Sequence, residues 1–145
     1  MATKQHIIRI FPYPQRQLYD LVADIQSYPT FLPWCKSIRI LEQGEGYVVA
    51  DLTVGYSIFS ETFRSKVLLT PSEKIEVQYQ QGPFKHLHNY WTFEKISDHE
   101  TAVTFFIDFE FKSSLLQSFM EKLFAQSTEH LMTAFEKKVL EKGEP

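Results

Sequence analysis

The chain is predicted to be an α+β protein in which a curved antiparallel sheet of about six to seven strands grips a long C-terminal helix. Three observations lead there. Strand-length segments between residues 36 and 111 are divided by turn signals at Gly44-Glu45-Gly46, Pro71-Ser72-Glu73-Lys74, Gly82-Pro83 and Ser97-Asp98-His99-Glu100, the spacing of a meander. The last of these segments places Val103, Phe105, Ile107, Phe109 and Phe111 on one face and Thr104, Asp108 and Glu110 on the other, with Phe106 the exception. After it, Leu116, Phe119, Met120, Leu123, Leu131, Ala134 and Phe135 recur at three- and four-residue spacing, the stripe of one long helix that lies across the apolar face.

The elements follow in order. His6 to Phe11 reads as a strand ended by Pro12 and Pro14, and Gln15 to Ile25 as a short helix with Leu18, Leu21, Val22 and Ile25 on one side. Two prolines bracket a second short helical or turn element from Ser27 to Pro33. Strands are expected over Lys36 to Leu41, Tyr47 to Val54, Ile58 to Leu69, Ile75 to Gln80, Lys85 to Lys95 and Thr101 to Phe111. Ser113 or Ser114 caps the final helix, which runs to about Glu141. No repeat or linker divides residues 1–145, so a single domain is expected.

Composition narrows the function classes. Aromatic residues make up 15% of the chain, with 13 Phe, so the interior must be built largely from rings. A net charge of -3 argues against broad electrostatic capture of nucleic acid, and no DNA partner is expected. A single cysteine, Cys35, excludes an internal disulfide framework and a cysteine-based zinc site. Neither a secretory signal nor an Arg-rich transit peptide is visible, and the apolar runs are shorter than a membrane span. Bacterial cytoplasm, peripheral to the inner membrane, is the expected location; a processed mitochondrial protein of the inner-membrane surface would look the same.

Four motifs occur in a fixed order: Asp24-Ile25-Gln26-Ser27-Tyr28-Pro29-Thr30-Phe31-Leu32-Pro33-Trp34-Cys35, Gly82-Pro83-Phe84-Lys85-His86-Leu87, Trp91-Thr92-Phe93 and Asp108-Phe109-Glu110-Phe111. With these the chain resembles the coenzyme Q-binding proteins of the START-like, polyketide-cyclase-related superfamily, from about Ile7 to Val139. Pro33-Trp34-Cys35 and Phe84-Lys85-His86-Leu87 look more like the quinone-binding branch than its bacterial cousin described as a ribosome-association toxin. The resemblance implies a helix-grip fold with a hydrophobic cavity between sheet and C-terminal helix. It also implies a binding protein or chaperone for ubiquinone, supporting respiratory electron transfer and quinone biosynthesis, with no catalytic cofactor. The residues add a physical reason: an isoprenoid chain is held by area removed from water, at about 25 cal/mol per Å2.

The expected cavity lining is Phe59, Phe63, Leu87, Trp91, Phe105, Phe109, Phe119 and Leu123, with Phe31 and Trp34 shaping the entrance. Alternation puts Glu61 on the face of Phe59, Phe63, Val67 and Leu69, and Asn89 on the face of Leu87, Trp91 and Phe93. These two are the polar candidates for a quinone carbonyl or methoxy oxygen. The competing reading is that a bulge or sheet edge leaves both in solvent.

Other signals carry less. His86 and His88 share the face opposite Trp91 and lack an identified third metal ligand. Asp108 and Glu110 fall on the polar side of an amphipathic strand, where solvation explains them. Ser57, Ser60 and Thr62 have no nucleophile-elbow context, and Cys35 beside Trp34 reads as a structural thiol. An enzyme is therefore not expected. Two alternatives stay open, a ribosome-interacting translation modulator on the same fold and a small-molecule cyclase. Leu115, Phe124, Met132 and Val139, with Pro29 to Trp34, are expected to form an exposed apolar rim that touches the bilayer surface or a second copy.

Overall fold

The computed structural model describes residues 3–32, 34–56 and 59–142, the side chains of 56, 59, 119, 120, 122–131 and 142 excepted. Seven strands form one antiparallel sheet: β1 (Thr3–Phe11), β2 (Cys35–Gly44), β3 (Tyr47–Tyr56), β4 (Phe59–Thr70), β5 (Lys74–Gln81), β6 (Phe84–Ser97) and β7 (Glu100–Phe111). Their order across the sheet is β1-β7-β6-β5-β4-β3-β2. Strands β2 to β7 therefore pair in sequence order as five hairpins, and β1 closes the far side against β7, Ile7 opposite Phe105.

Turn chemistry sets these boundaries. Gly46 adopts φ +76 between β2 and β3, and Ser72 adopts φ +65 between β4 and β5. Both are left-handed conformations of the kind hairpin turns require. Gly82 opens the β5–β6 turn at φ +145 and lies against β4. A Cβ there would stand 2.6 Å from the Phe63 Cβ, so glycine is demanded by close approach as well as by backbone conformation.

Between β1 and β2 lie α1 (Gln15–Ala23) and a 3-10 helix (Ile25–Thr30). The first helix ends two residues earlier than its apolar spacing predicts, because Asp24 leaves the helical region at φ -81, ψ 70. Ile25 then starts the tighter turn, and the Tyr28 hydroxyl ties it to α1 by donating to the Val22 carbonyl. The long helix α2 (Ser114–Lys142) begins where Ser113 accepts the Leu116 N–H on its hydroxyl at 3.2 Å, so Ser113 is the cap.

Helix α2 buries more of its circumference than one stripe. Leu116 and Phe135 are buried as the spacing predicts, but Met132 and Val139 are only 0% and 1% exposed. They were expected on an open rim; instead they belong to the core cluster of Leu18, Leu21 and Val22 of α1. Helix α1 covers the flank of α2 that a sheet alone would leave in water. Leu32 is likewise buried at 2%, while Leu115 at 73% remains exposed as expected. Phe124 lies outside the described side chains.

The convex face of the sheet explains Phe106. Its ring stacks on Tyr90 at 5.0 Å and meets His88 edge-on at 5.5 Å. On the same face His86 approaches Asp108 at 3.0 Å, Lys85 pairs with Glu110 at 3.3 Å, and His88 lies 3.5 Å from Glu76. His86 and His88 thus point away from Trp91, and the carboxylates of β7 are occupied by cross-strand partners.

Candidate functional site

The concave face and α2 enclose a cavity of about 180 Å3. Its floor comes from five strands in register. Phe63, Ser65 and Val67 of β4, Ile75 and Val77 of β5, Leu87, Asn89 and Trp91 of β6, and Phe105, Ile107 and Phe109 of β7 all face inward. Ala50, Leu52 and Val54 of β3 extend the floor, and Ile38 of β2 reaches its edge. Period-two alternation on adjacent strands creates this continuous apolar surface. Phe135 of α2 forms the roof, with its ring 5.1 Å from Trp91. Tyr28, Leu32 and Trp34 wall the side opened by the 3-10 helix.

Of the twelve side chains expected at the site, seven line this cavity: Trp34, Phe63, Leu87, Asn89, Trp91, Phe105 and Phe109. The side chains of Phe59, Phe119 and Leu123 fall outside the described residues. Phe31 is not itself a lining residue; it packs edge-on behind two that are, Tyr28 at 6.1 Å and Phe135 at 5.2 Å, with the Lys138 ammonium 5.6 Å from its ring centre. Glu61 is exposed. Its parity is that of Phe63, but the β4–β5 ladder begins only at Arg64, opposite Gln81. Before that point β4 pairs with β3 alone, Glu61 beside Val54, and the cavity stops short of it.

Asn89 does point inward, and its amide is held: Nδ2 donates to the Phe106 carbonyl of β7 at 2.7 Å. That leaves the second N–H and the Oδ1 carbonyl of the side chain for other partners. A further polar lining residue, Ser65, escaped the sequence reading although alternation places it between Phe63 and Val67. It is 5% exposed, and its hydroxyl has no hydrogen-bond partner among the described residues. The register shift between Arg64 and Ser65 lies immediately beside it, opposite the β5 segment from Tyr79 to Gln81. Bulges of this kind re-aim side chains next to binding sites. On the outer face, Arg64 clamps the same point by donating to Asp51 at 2.8 and 3.2 Å.

Among the described lining residues only Tyr28 is ionisable. Burial, then the neighbouring Cys35 and Asp24, push its phenol far above the ordinary range. Its hydroxyl is already committed to Val22. Cys35, buried beneath it, is pushed up to about 11 by desolvation and stays a neutral thiol at physiological pH. Among the described residues the site therefore offers apolar area, the neutral polar side chains of Ser65 and Asn89, the indole N–H groups of Trp34 and Trp91, and no group poised to exchange a proton near pH 7.

A family model described as polyketide cyclase / dehydrase and lipid transport matches residues 11–136. The chain is 36% identical over 135 residues to the ribosome association toxin RatA of Pseudomonas aeruginosa, covering 93% of this chain and 94% of that protein. It is 31% identical over 133 residues to the mitochondrial coenzyme Q-binding protein COQ10 homolog B of Xenopus laevis, covering 89% of this chain and 54% of that protein. Among solved structures, the Zhui aromatase/cyclase of a Streptomyces species superposes with a TM-score of 0.84 over 100% of both chains, at 17% identity. That likeness establishes the helix-grip architecture and nothing about chemistry. No helix of the described residues is long and apolar enough to cross a membrane.

Proposed function

The chain belongs to the polyketide cyclase / dehydrase and lipid transport family, and from that premise we propose that it is a non-catalytic carrier whose cavity holds an isoprenoid quinone of the ubiquinone type. The observation that carries this reading is the lining: a ring-rich surface between sheet and α2 in which, among the described residues, Ser65 and Asn89 are the neutral polar aliphatic side chains. A cavity of about 150 Å3 accepts benzene, so about 180 Å3 accommodates a head-group ring and leaves an isoprenoid tail to follow the apolar wall outward. The likeness to a coenzyme Q-binding protein at 31% identity supports the same ligand class. With no ionisable group but a protonated tyrosine in the described lining, binding without transformation is favoured over a cyclase.

A second reading is favoured by the 36% identity to ribosome association toxins, spread over nearly the whole chain. It concerns the outer surface, whereas the quinone reading concerns the interior. Organic extraction of purified protein followed by mass spectrometry tests the first, with co-extracted ubiquinone as the expected result. Protein that carries none and takes up none when offered defeats it. Co-sedimentation with ribosomal subunits through high salt would establish the second. Quinone delivery implies peripheral contact with a bilayer, and flotation with liposomes checks that step.

A further inference from the structure

The geometry points to Ser65 and Asn89 as the two ends of one seat, built for a ring that carries an oxygen at each of two opposite positions. This rests on the ligand-binding reading above and deepens it. Val77 lies opposite Val67 on one side and opposite Asn89 on the other. Ser65, two residues before Val67 on the same face, is thus two strands and one side-chain row from Asn89. Strand spacing of about 4.8 Å and a rise of about 3.4 Å per residue put the two Cα atoms roughly 12 Å apart. Both residues line the same concave face. A ring with opposed oxygens, flanked by two hydrogen bonds of about 2.8 Å, spans roughly 11 Å.

Each end has unused capacity. The Ser65 hydroxyl is buried and unpartnered among the described residues, and a hydroxyl can donate or accept. Asn89 spends one N–H on Phe106, which fixes the amide plane, and keeps a donor and an acceptor. Either oxidation state of a quinone head group is therefore served. A carbonyl oxygen accepts from Ser65 or from the second N–H of Asn89, and a quinol hydroxyl donates to Asn89 Oδ1. Val77, opposite Asn89 on β5, and Leu87, two residues before Asn89 on β6, supply apolar floor beside the line that joins the two ends.

Titration read on the cavity tryptophans tests the seat with three probes: a short-tail ubiquinone by direct quenching, and its quinol and an isoprenoid hydrocarbon of matching length by displacement of that ubiquinone. Wild-type protein is expected to bind both oxidation states within about threefold of each other. Ser65→Ala and Asn89→Leu should each weaken both ring probes about fivefold, as one lost neutral hydrogen bond does. Neither variant should move the hydrocarbon by more than about twofold, which separates a lost head-group contact from general damage to the cavity. Unchanged ring affinity in both variants, with wild-type binding intact, overturns the seat and leaves the carrier reading standing. Wild-type protein that binds none of the three probes overturns both.

Discussion

A buried hydroxyl without a partner costs about 1–3 kcal/mol relative to an apolar group in its place. Ser65, 5% exposed and without a hydrogen-bond partner among the described residues, is such a group. Ser65→Ala is therefore expected to stabilise the unliganded fold by about 1 kcal/mol, read as a higher urea midpoint at constant slope. A lower midpoint would show that the hydroxyl is bonded in solution. The opposite signs expected for stability and affinity are the mark of a residue kept for its ligand. How far such residues can be read from sequence depends on what alternation records. Period two gives the face of a strand, so Asn89 and Trp91 were legible, and Ser65 was equally legible by position. A serine among valines and phenylalanines simply carries no hydropathy signal of its own. Glu61 shows the opposite failure, since parity fixes a face but says nothing about where the neighbouring strand ends.

At the scale of elements, the β5–β6 turn and the α1–α2 contact make the strongest demands. Gly82→Ala places a methyl 2.6 Å from the Phe63 Cβ and 2.9 Å from its Cα, with φ at +145. The turn cannot keep its place against β4, and a loss of about 2–4 kcal/mol is expected in denaturant unfolding. A loss below about 0.5 kcal/mol would mean that the turn has room to shift. Met132→Ala should cost about 2–5 kcal/mol, as core truncations do. Leu115→Ala, on a side chain 73% exposed, should change stability by less than about 0.5 kcal/mol. Equal effects at the two sites would place α1 elsewhere. Both residues lie off the stripe that the heptad-like spacing of α2 suggests, and sequence alone could not tell them apart. The difference is made by α1, whose Leu18, Leu21 and Val22 come from the other end of the chain.

At the scale of the molecule, the sheet and its gripping helix were legible because turn residues, alternation and helical spacing agree along the whole chain. The cavity was not, since its depth depends on how far seven strands curl beneath α2. The surface charges predict a pH response. Asp51 is held below the ordinary carboxylate range first by its hydrogen bond from Arg64, Asp98 by that from Lys95, and Glu110 by that from Lys85. Because the folded-state values are depressed, these groups support the fold above the ordinary carboxylate range. That support is lost as pH falls through their lowered values. Unfolding free energy should drop below about pH 4.5, less steeply in high salt, which screens such exposed pairs. A curve flat to pH 3 in low salt would contradict it. The ring of Phe135 touches Tyr28 at 5.6 Å, Phe31 at 5.2 Å and Trp91 at 5.1 Å, so one side chain joins helix, sheet and 3-10 turn over the cavity. Whatever fills the space beneath it bears on all three at once. The amide protons in the last turns of α2 are therefore expected to exchange more slowly when a short-tail ubiquinone is added than without it, and equal rates would show that the cavity does not take it.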